Sequence, residues 1–460
     1  MDHLVDSIAS YAVGLTYDDL PKEVVVRAKH LILDSVGCAL GAAPSIPAVI
    51  ARAMAQGVRS DFPATVMFSG YKTSPDLAAF ANGSMIRYLD YNDTYTGQGT
   101  THPSDMLAPA LAAAELARGD GKAVILGMVL GYEILCGLTD SEAMQQGPHG
   151  QVWDQATYGV ISAAVLASRL IGLTKEQMTH AISLAISSHL SLGQIRIGQI
   201  SHWKGCAVGN ASRNGLFCAM LAAKGMTGPN YIFEGPYGFF NATGGAFKMP
   251  SYGGKGADFR IMTARVKPYP AGYFSQSAIE AALELKPKIS SLEDVKQIRL
   301  ETFPSGFKHM GSDKSAWRPD TRESADHSLP FVMAMALMHG ELAIRHYDEE
   351  LFKQPDARAL MAKITVSVGE ESEKAWPEVP LNVLHVELTN GQTLTTKVAH
   401  HLGHYKRLMT DEQQERKFRP MAEEYAKIPA TQVDHLLDRL RNLETVKNID
   451  EMLMLTVAPT

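Results

Sequence analysis

Two carboxylates and a histidine stand close together early in the chain, in Arg87-Tyr88-Leu89-Asp90-Tyr91-Asn92-Asp93-Thr94 and Thr101-His102-Pro103-Ser104. A carboxylate and an imidazole are the commonest groups for moving a proton to or from carbon or oxygen. Their spacing implies how they are held. Ser74-Pro75 reads as a cap and first helical residue, which predicts a helix over residues 75–90 and leaves Asp90 at its end. Gly97 and Gly99 then break the chain. His102 precedes Pro103, which is well placed to open a second helix with its apolar body at 106–116, although Pro109 argues for a later start of regular hydrogen bonding. A helix beginning near His102 would turn free N–H groups and the positive end of a dipole towards the ring, favouring neutral imidazole and attracting carboxylates. The plainer reading is a capping histidine beside solvated aspartates.

Further cations and acids lie where chemistry could use them. Lys204, in Trp203-Lys204-Gly205-Cys206, falls at the start of a predicted helix, an unfavourable place for a cation unless an anion meets it there. Arg196 lies in the polar connection just upstream, and Asp154 follows Val152-Trp153. Arg265, Lys267 and Tyr269 share a strand-to-loop exit stiffened by Pro268 and Pro270. Trp317-Arg318-Pro319-Asp320-Thr321-Arg322 and Asp326-His327-Ser328 form a charged loop before an apolar stretch, in which Asp326 and Ser328 could simply cap the next helix. Together these segments supply the carboxylates, histidines and cations expected around an anionic substrate. Metal binding is the weaker reading of these groups. Asp90, Asp93 and His102 could ligate an ion, and His400 and His404 have i, i+4 spacing, but Gly403 argues against a helix there. The His400-His401-His404 group reads as a surface or interface feature. The chain carries no dinucleotide fingerprint, no phosphate-binding Gly-Lys loop and no Gly-x-Ser-x-Gly elbow.

The elements that must position these groups change character along the chain. Apolar residues at helical spacing predict helices over 21–40, 120–138, 155–171, 174–188 and 205–224. Val25, Ala28, Ile32 and Val36 lie on one face of the first, Thr174 and Gln177 form a capping box, and Gly225 ends the last. Small residues crowd these segments, as suits closely packed helices. After about residue 260 the pattern alternates. Strands are expected at 261–266, 295–303, 363–368, 384–388 and 392–397, the last two joined by an Asn390-Gly391 hairpin signal. Helices are expected between them at 275–285 and 327–338. Helical periodicity returns at 411–425 and 433–442, and this tail is expected to pack back on the first domain.

Composition narrows the classes. With 460 residues and 45% hydrophobic content, the chain can bury sizeable cores in two or three domains. Its formal net charge of −6 gives no basic field for nucleic acid. Runs such as 31–33 and 110–114 are too short to cross a bilayer, and no membrane partner is expected. The N-terminus shows no secretory pattern. Cys38, Cys136, Cys206 and Cys218 include no close pair and read as buried hydrophobes, so the cytoplasm is the expected compartment.

Taken in order, these motifs resemble the MmgE/PrpD family. The resemblance rests on 87–95 with His102-Pro103-Ser104-Asp105, on Trp203-Lys204-Gly205-Cys206-Ala207 with Asn210-Ala211-Ser212-Arg213-Asn214-Gly215, and on Thr227-Gly228-Pro229 before Phe233-Glu234-Gly235. Lys267-Pro268-Tyr269-Pro270 and Thr321-Arg322-Glu323-Ser324-Ala325-Asp326-His327-Ser328 complete it. That family includes 2-methylcitrate dehydratases, cis-aconitate decarboxylases and an iminodisuccinate epimerase. The resemblance implies a mainly α protein: a large all-helical domain (1–265 with 405–460) plus a smaller α+β lid domain (266–404). It also implies a homodimer, no iron–sulfur cluster or other cofactor, and a polycarboxylate substrate. By the same resemblance His102, Asp90, Lys204 and Lys267 are the catalytic set, and Asp93, Asp154, Arg196 and Tyr269 are candidates for substrate binding. A histidine falls at or beside the position of Asp154 in the decarboxylase branch, so Asp154 favours the dehydratase branch and a role in propionate catabolism. Decarboxylation, epimerisation and a non-catalytic helical scaffold are the alternatives.

Overall fold

The computed structural model describes residues 2–141 and 152–459. It is mainly helical, with two hydrophobic cores. The larger draws on residues from Leu4 to Val266, on Ile344, and on residues from Met409 to Leu453; the smaller runs from Ala271 to Val398.

At the centre of the larger core lie the helices Pro75–Tyr88, Gly121–Asp140, Ala156–Leu170 and Trp203–Ala223, with Lys22–Ala42 and Lys175–Ser188 around them. The predicted helices thus form, shifted by a residue or two at their ends. Thr174 and Gln177 make the expected capping box. Small residues set the closest approach. A Cβ on Gly83 would lie 2.8 Å from the Cα of Gly209, and one on Gly209 would lie 2.9 Å from the backbone nitrogen of Ser84. Only paired glycines let these two helices touch backbone to backbone. This contact sets the separation of the two helices that lead to Asp90 and carry Lys204. One sequence expectation needs correcting here. The Gly121–Asp140 helix is long and apolar enough to cross a membrane, but 89% of its most apolar window is buried inside the protein, as a core helix must be.

The tail does return to this core. Helix Asp411–Pro420 continues into a wider π-turn, Met421–Tyr425, and Phe418 and Met421 press on Gly37 and Gly41 of the Lys22–Ala42 helix. Lys417 bonds Asp34 at 2.5 Å and the Tyr91 carbonyl at 2.9 Å, which ties the tail to the loop after Asp90.

The smaller core packs helices Gln276–Leu285 and Leu329–His339 against a four-stranded sheet. The strand order is Ile364–Val368, Val295–Thr302, Asn382–Leu388, Thr393–Val398, with the first pair parallel and the rest antiparallel. In Val295–Thr302 the alternation buries Ile298, Leu300 and Thr302, as its sequence predicts. The hairpin after Leu388 forms around Thr389-Asn390-Gly391 rather than around two residues alone. Only Gly391 takes a positive φ, 86°, and Leu388 N–H donates to Gln392 O across the turn. The strand expected at 261–266 does not form. Arg260–Thr263 is a 3-10 turn, and only Arg265 pairs, with Thr94.

Candidate active site

The site begins where the Pro75–Tyr88 helix ends. Asp90 donates its N–H to Arg87 O and takes φ 50°, a left-handed conformation that Asp tolerates better than most residues. This turn drives the carboxylate inward, where it is 1% exposed. Arg265 exchanges both backbone hydrogen bonds with Thr94, so the chain two residues on delivers Lys267 to Asp90. Lys267 Nζ pairs with Asp90 Oδ1 and donates to the Asp90 carbonyl at 2.9 Å. Lys204, in the first turn of Trp203–Ala223, pairs with Asp90 Oδ2 at 2.8 Å and with Asp326 at 3.1 Å. These two carboxylates explain a cation at a helix N-terminus. Arg87, fully buried, adds a third cation at 3.1 Å from Asp90.

The charge states follow from these contacts. Burial would raise the Asp90 carboxyl, but Arg87, Lys204 and Lys267 together hold it well below the usual range. Burial lowers Lys267 to about 8, against the pull of Asp90. Asp105, 4.0 Å from Arg87, is pushed up to about 8 by burial and is therefore protonated near neutrality. Three cations then face two carboxylates, Asp90 and Asp326. The excess positive charge suits a polyanionic substrate.

His102 lies in the same field. Its Nδ1 is 2.7 Å from the Asp93 carbonyl, which can only accept, so Nδ1 carries the proton and Nε2 the lone pair. Nε2 makes no hydrogen bond among the described residues. Burial, then Arg87 and Lys267, push the imidazole well below its usual pKa. The ring is thus a neutral base, as expected, but for a different reason. Pro103–Met106 is a four-residue 3-10 turn, with the α-helix starting only at Leu107, so no helix dipole of consequence acts on His102.

Other expected residues take different places. Asp93 is fully buried and turned into the protein, accepting from Ser104 N–H at 3.1 Å and Tyr132 Oη at 2.6 Å. These bonds tie it to the loop that carries His102. Asp154 is also buried: Oδ1 accepts the Ala156 N–H and Oδ2 pairs with Arg196 Nε. Asp154 therefore positions Arg196, whose side chain is 28% exposed and whose Nη2 has no hydrogen-bond partner among the described residues. Tyr269 is half-buried, its charged neighbours being Glu280, Arg407 and Glu284, and it lies near Tyr91. His401 and His404 are not surface groups. Both are buried, with Arg265 Nε donating to His404.

Asp326 and His327, which the sequence offers only within a charged loop and without an individual role in catalysis, also reach Asp90 and Lys204. His327 Nδ1 bonds Asp326, and its Nε2 lies 3.4 Å from Asp90 Oδ2. The signal available in sequence was an Asp-His pair directly before an apolar helix. Asp90, Asp326 and His327 bring donor atoms within 4.8 Å of one another, but Lys204 already meets both carboxylates. A cavity of about 630 Å³ opens beside the cluster rather than over it. Its walls include Tyr88, His202 and Arg322, and neither His102 nor Lys267 lines it.

Segments of a helical body and of a smaller α+β unit converge on a buried carboxylate ringed by cations. The MmgE/PrpD N-terminal domain matches residues 6–251 and the MmgE/PrpD C-terminal domain residues 269–443, so the chain belongs to the MmgE/PrpD family. It is 26% identical to cis-aconitate decarboxylase of Aspergillus terreus, over 99% of this chain and 96% of that protein. It is 27% identical to 2-methylcitrate dehydratase of Cupriavidus necator, over 88% and 85%. It is 22% identical to cis-aconitate decarboxylase of Homo sapiens, over 99% and 95%.

Proposed function

We propose that this protein is a lyase that removes water from a hydroxy-polycarboxylate of the 2-methylcitrate type, using only its own acid/base groups. The observation that carries this reading is the neutral His102, its Nε2 without a hydrogen bond among the described residues, in a cluster where Arg87, Lys204 and Lys267 outnumber Asp90 and Asp326. Elimination of water needs a base for the carbon acid and cations to spread the charge of the enolate-like transition state. His102 takes the proton, Lys204 and Lys267 hold carboxylates, and Asp90 fixes both ammonium groups. Arg196, set by Asp154, reaches a further carboxylate of the substrate. The Asp154–Arg196 pair supports dehydration over decarboxylation, because a neutral histidine at that position would not anchor Arg196 by charge. We further propose a cytoplasmic homodimer, for which the exposed apolar face of Ile46, Val49, Ile50 and Met54 is a suitable contact.

The test is incubation with methylcitrate, citrate, cis-aconitate and iminodisuccinate, with products identified by NMR and released carbon dioxide measured. Loss of water from methylcitrate without carbon dioxide is expected and should be unchanged by EDTA. Carbon dioxide from cis-aconitate, with methylcitrate untouched, would replace dehydration by decarboxylation.

A further inference from the structure

We propose that His327, backed by Asp326, is the catalytic acid that protonates the departing hydroxyl, while His102 is the base; this rests on the lyase reading above. The two histidines have different partners at Nδ1. His102 is 7% exposed, its Nδ1 meets a neutral backbone carbonyl, and two of its charged neighbours are the cations Arg87 and Lys267. An added proton there is poorly tolerated. His327 Nδ1 meets the Asp326 carboxylate, and Nε2 lies 3.4 Å from Asp90 Oδ2. Two carboxylates flanking one ring stabilise its imidazolium form. Its side chain is 23% exposed, so it can recover a proton from solvent between turnovers. Burial first and then Lys204, 3.3 Å from Nδ1, oppose the carboxylates and leave the ring below its usual pKa, with His309 nearby, whereas His102 is held well below that value. Paired titratable groups in contrasting environments divide acid and base work between them.

The step balances with these two rings. His102 Nε2 takes the proton from the carbon next to a substrate carboxylate. That C–H electron pair becomes the new carbon–carbon double bond. The neighbouring C–O bond breaks, and the oxygen leaves with its bonding pair, receives the proton of His327 Nε2 and departs as water. His102 ends protonated and His327 neutral, and exchange with solvent restores both.

The experiment runs the full-length protein with 2-methylcitrate in D₂O and measures, by NMR, both water loss and deuterium entering recovered substrate. His327→Asn and His327→Gln should lower water loss by about a hundredfold or more while deuterium still enters. His102→Asn should lose both. Asp326→Asn, which removes a carboxylate from the acid, should move the alkaline fall of kcat to lower pH. Melting temperatures near that of the wild type establish that each variant is folded. Near-normal water loss in folded His327→Gln overturns the assignment, as does equal loss of exchange and elimination in it. In both cases an active wild type leaves the lyase reading standing. A wild-type protein that turns over none of the polycarboxylates overturns that reading and this assignment with it.

Discussion

At the scale of single residues, the site is an exercise in holding like charges together. Asp90 is the hub, since Arg87, Lys204, Lys267 and His327 all approach its carboxylate. Asp90→Asn keeps the left-handed backbone, which Asn tolerates, but leaves three buried cations facing Asp326 alone. Removing one partner of a buried ion pair costs about 3–5 kcal/mol, so the variant should melt well below the wild type and be inactive. Thermal unfolding checks the first outcome and product formation the second. Lys267 makes a pH prediction. Its folded pKa is lowered to about 8, so its charge is present below that pH and lost above it. If the charged form binds substrate, kcat/KM should fall as pH rises through about 8, as a pH profile over neutral to alkaline conditions would show. Lys204, Lys267, Asp90 and His102 were legible in sequence because their motifs flank helix ends and prolines. The bonds of Asp93 to Tyr132 and Ser104 are not legible there, because no local pattern reveals how those segments approach.

At the scale of elements, geometry is transmitted by small residues. Helices Pro75–Tyr88 and Trp203–Ala223 meet at Gly83 and Gly209, one turn or two from the residues that place Asp90 and Lys204. A methyl group at Gly209 would meet the Ser84 nitrogen and the Phe80 oxygen, neither of which can step aside. Gly209→Ala should therefore cost about 1–3 kcal/mol as an overpacked core and also lower turnover by separating Lys204 from Asp90. An alanine variant with native melting temperature and rate would show that the close approach is immaterial. Helix periodicity and the capping box predicted these elements well, because both are local. The missing strand at 261–266 failed for the opposite reason. Its apolar alternation is spent between the Lys22–Ala42 helix, where Arg27 bonds Ala264 O, and the Thr94 bridge, and among the described residues no full strand lies beside it.

At the scale of the whole molecule, the site is assembled from distant parts of the chain: the loop after Tyr88, the start of the Trp203 helix, the Lys267 crossing and the Asp326-His327 turn. The tail closes the circuit through Lys417, which bonds Asp34 and the Tyr91 carbonyl one residue past Asp90. A chain ending before Asp411 would uncover Gly37, Gly41 and the apolar groove that takes Phe418, Met421, Val433 and Leu436. Such a truncation should be insoluble or melt far lower than the intact protein, and recovery of a stable, active truncated protein would contradict this. The presence of an α+β unit among helices was readable from the change of hydrophobic period. The convergence of Asp326 and His327 on Asp90 was not, because it depends on how two cores meet. The most direct measurement for the account as a whole is kcat/KM of His102→Asn beside the wild type, on whichever polycarboxylate the wild type converts. A folded variant reduced by about a hundredfold or more is the result predicted. A folded variant that retains wild-type kcat/KM would contradict the acid/base site built around His102.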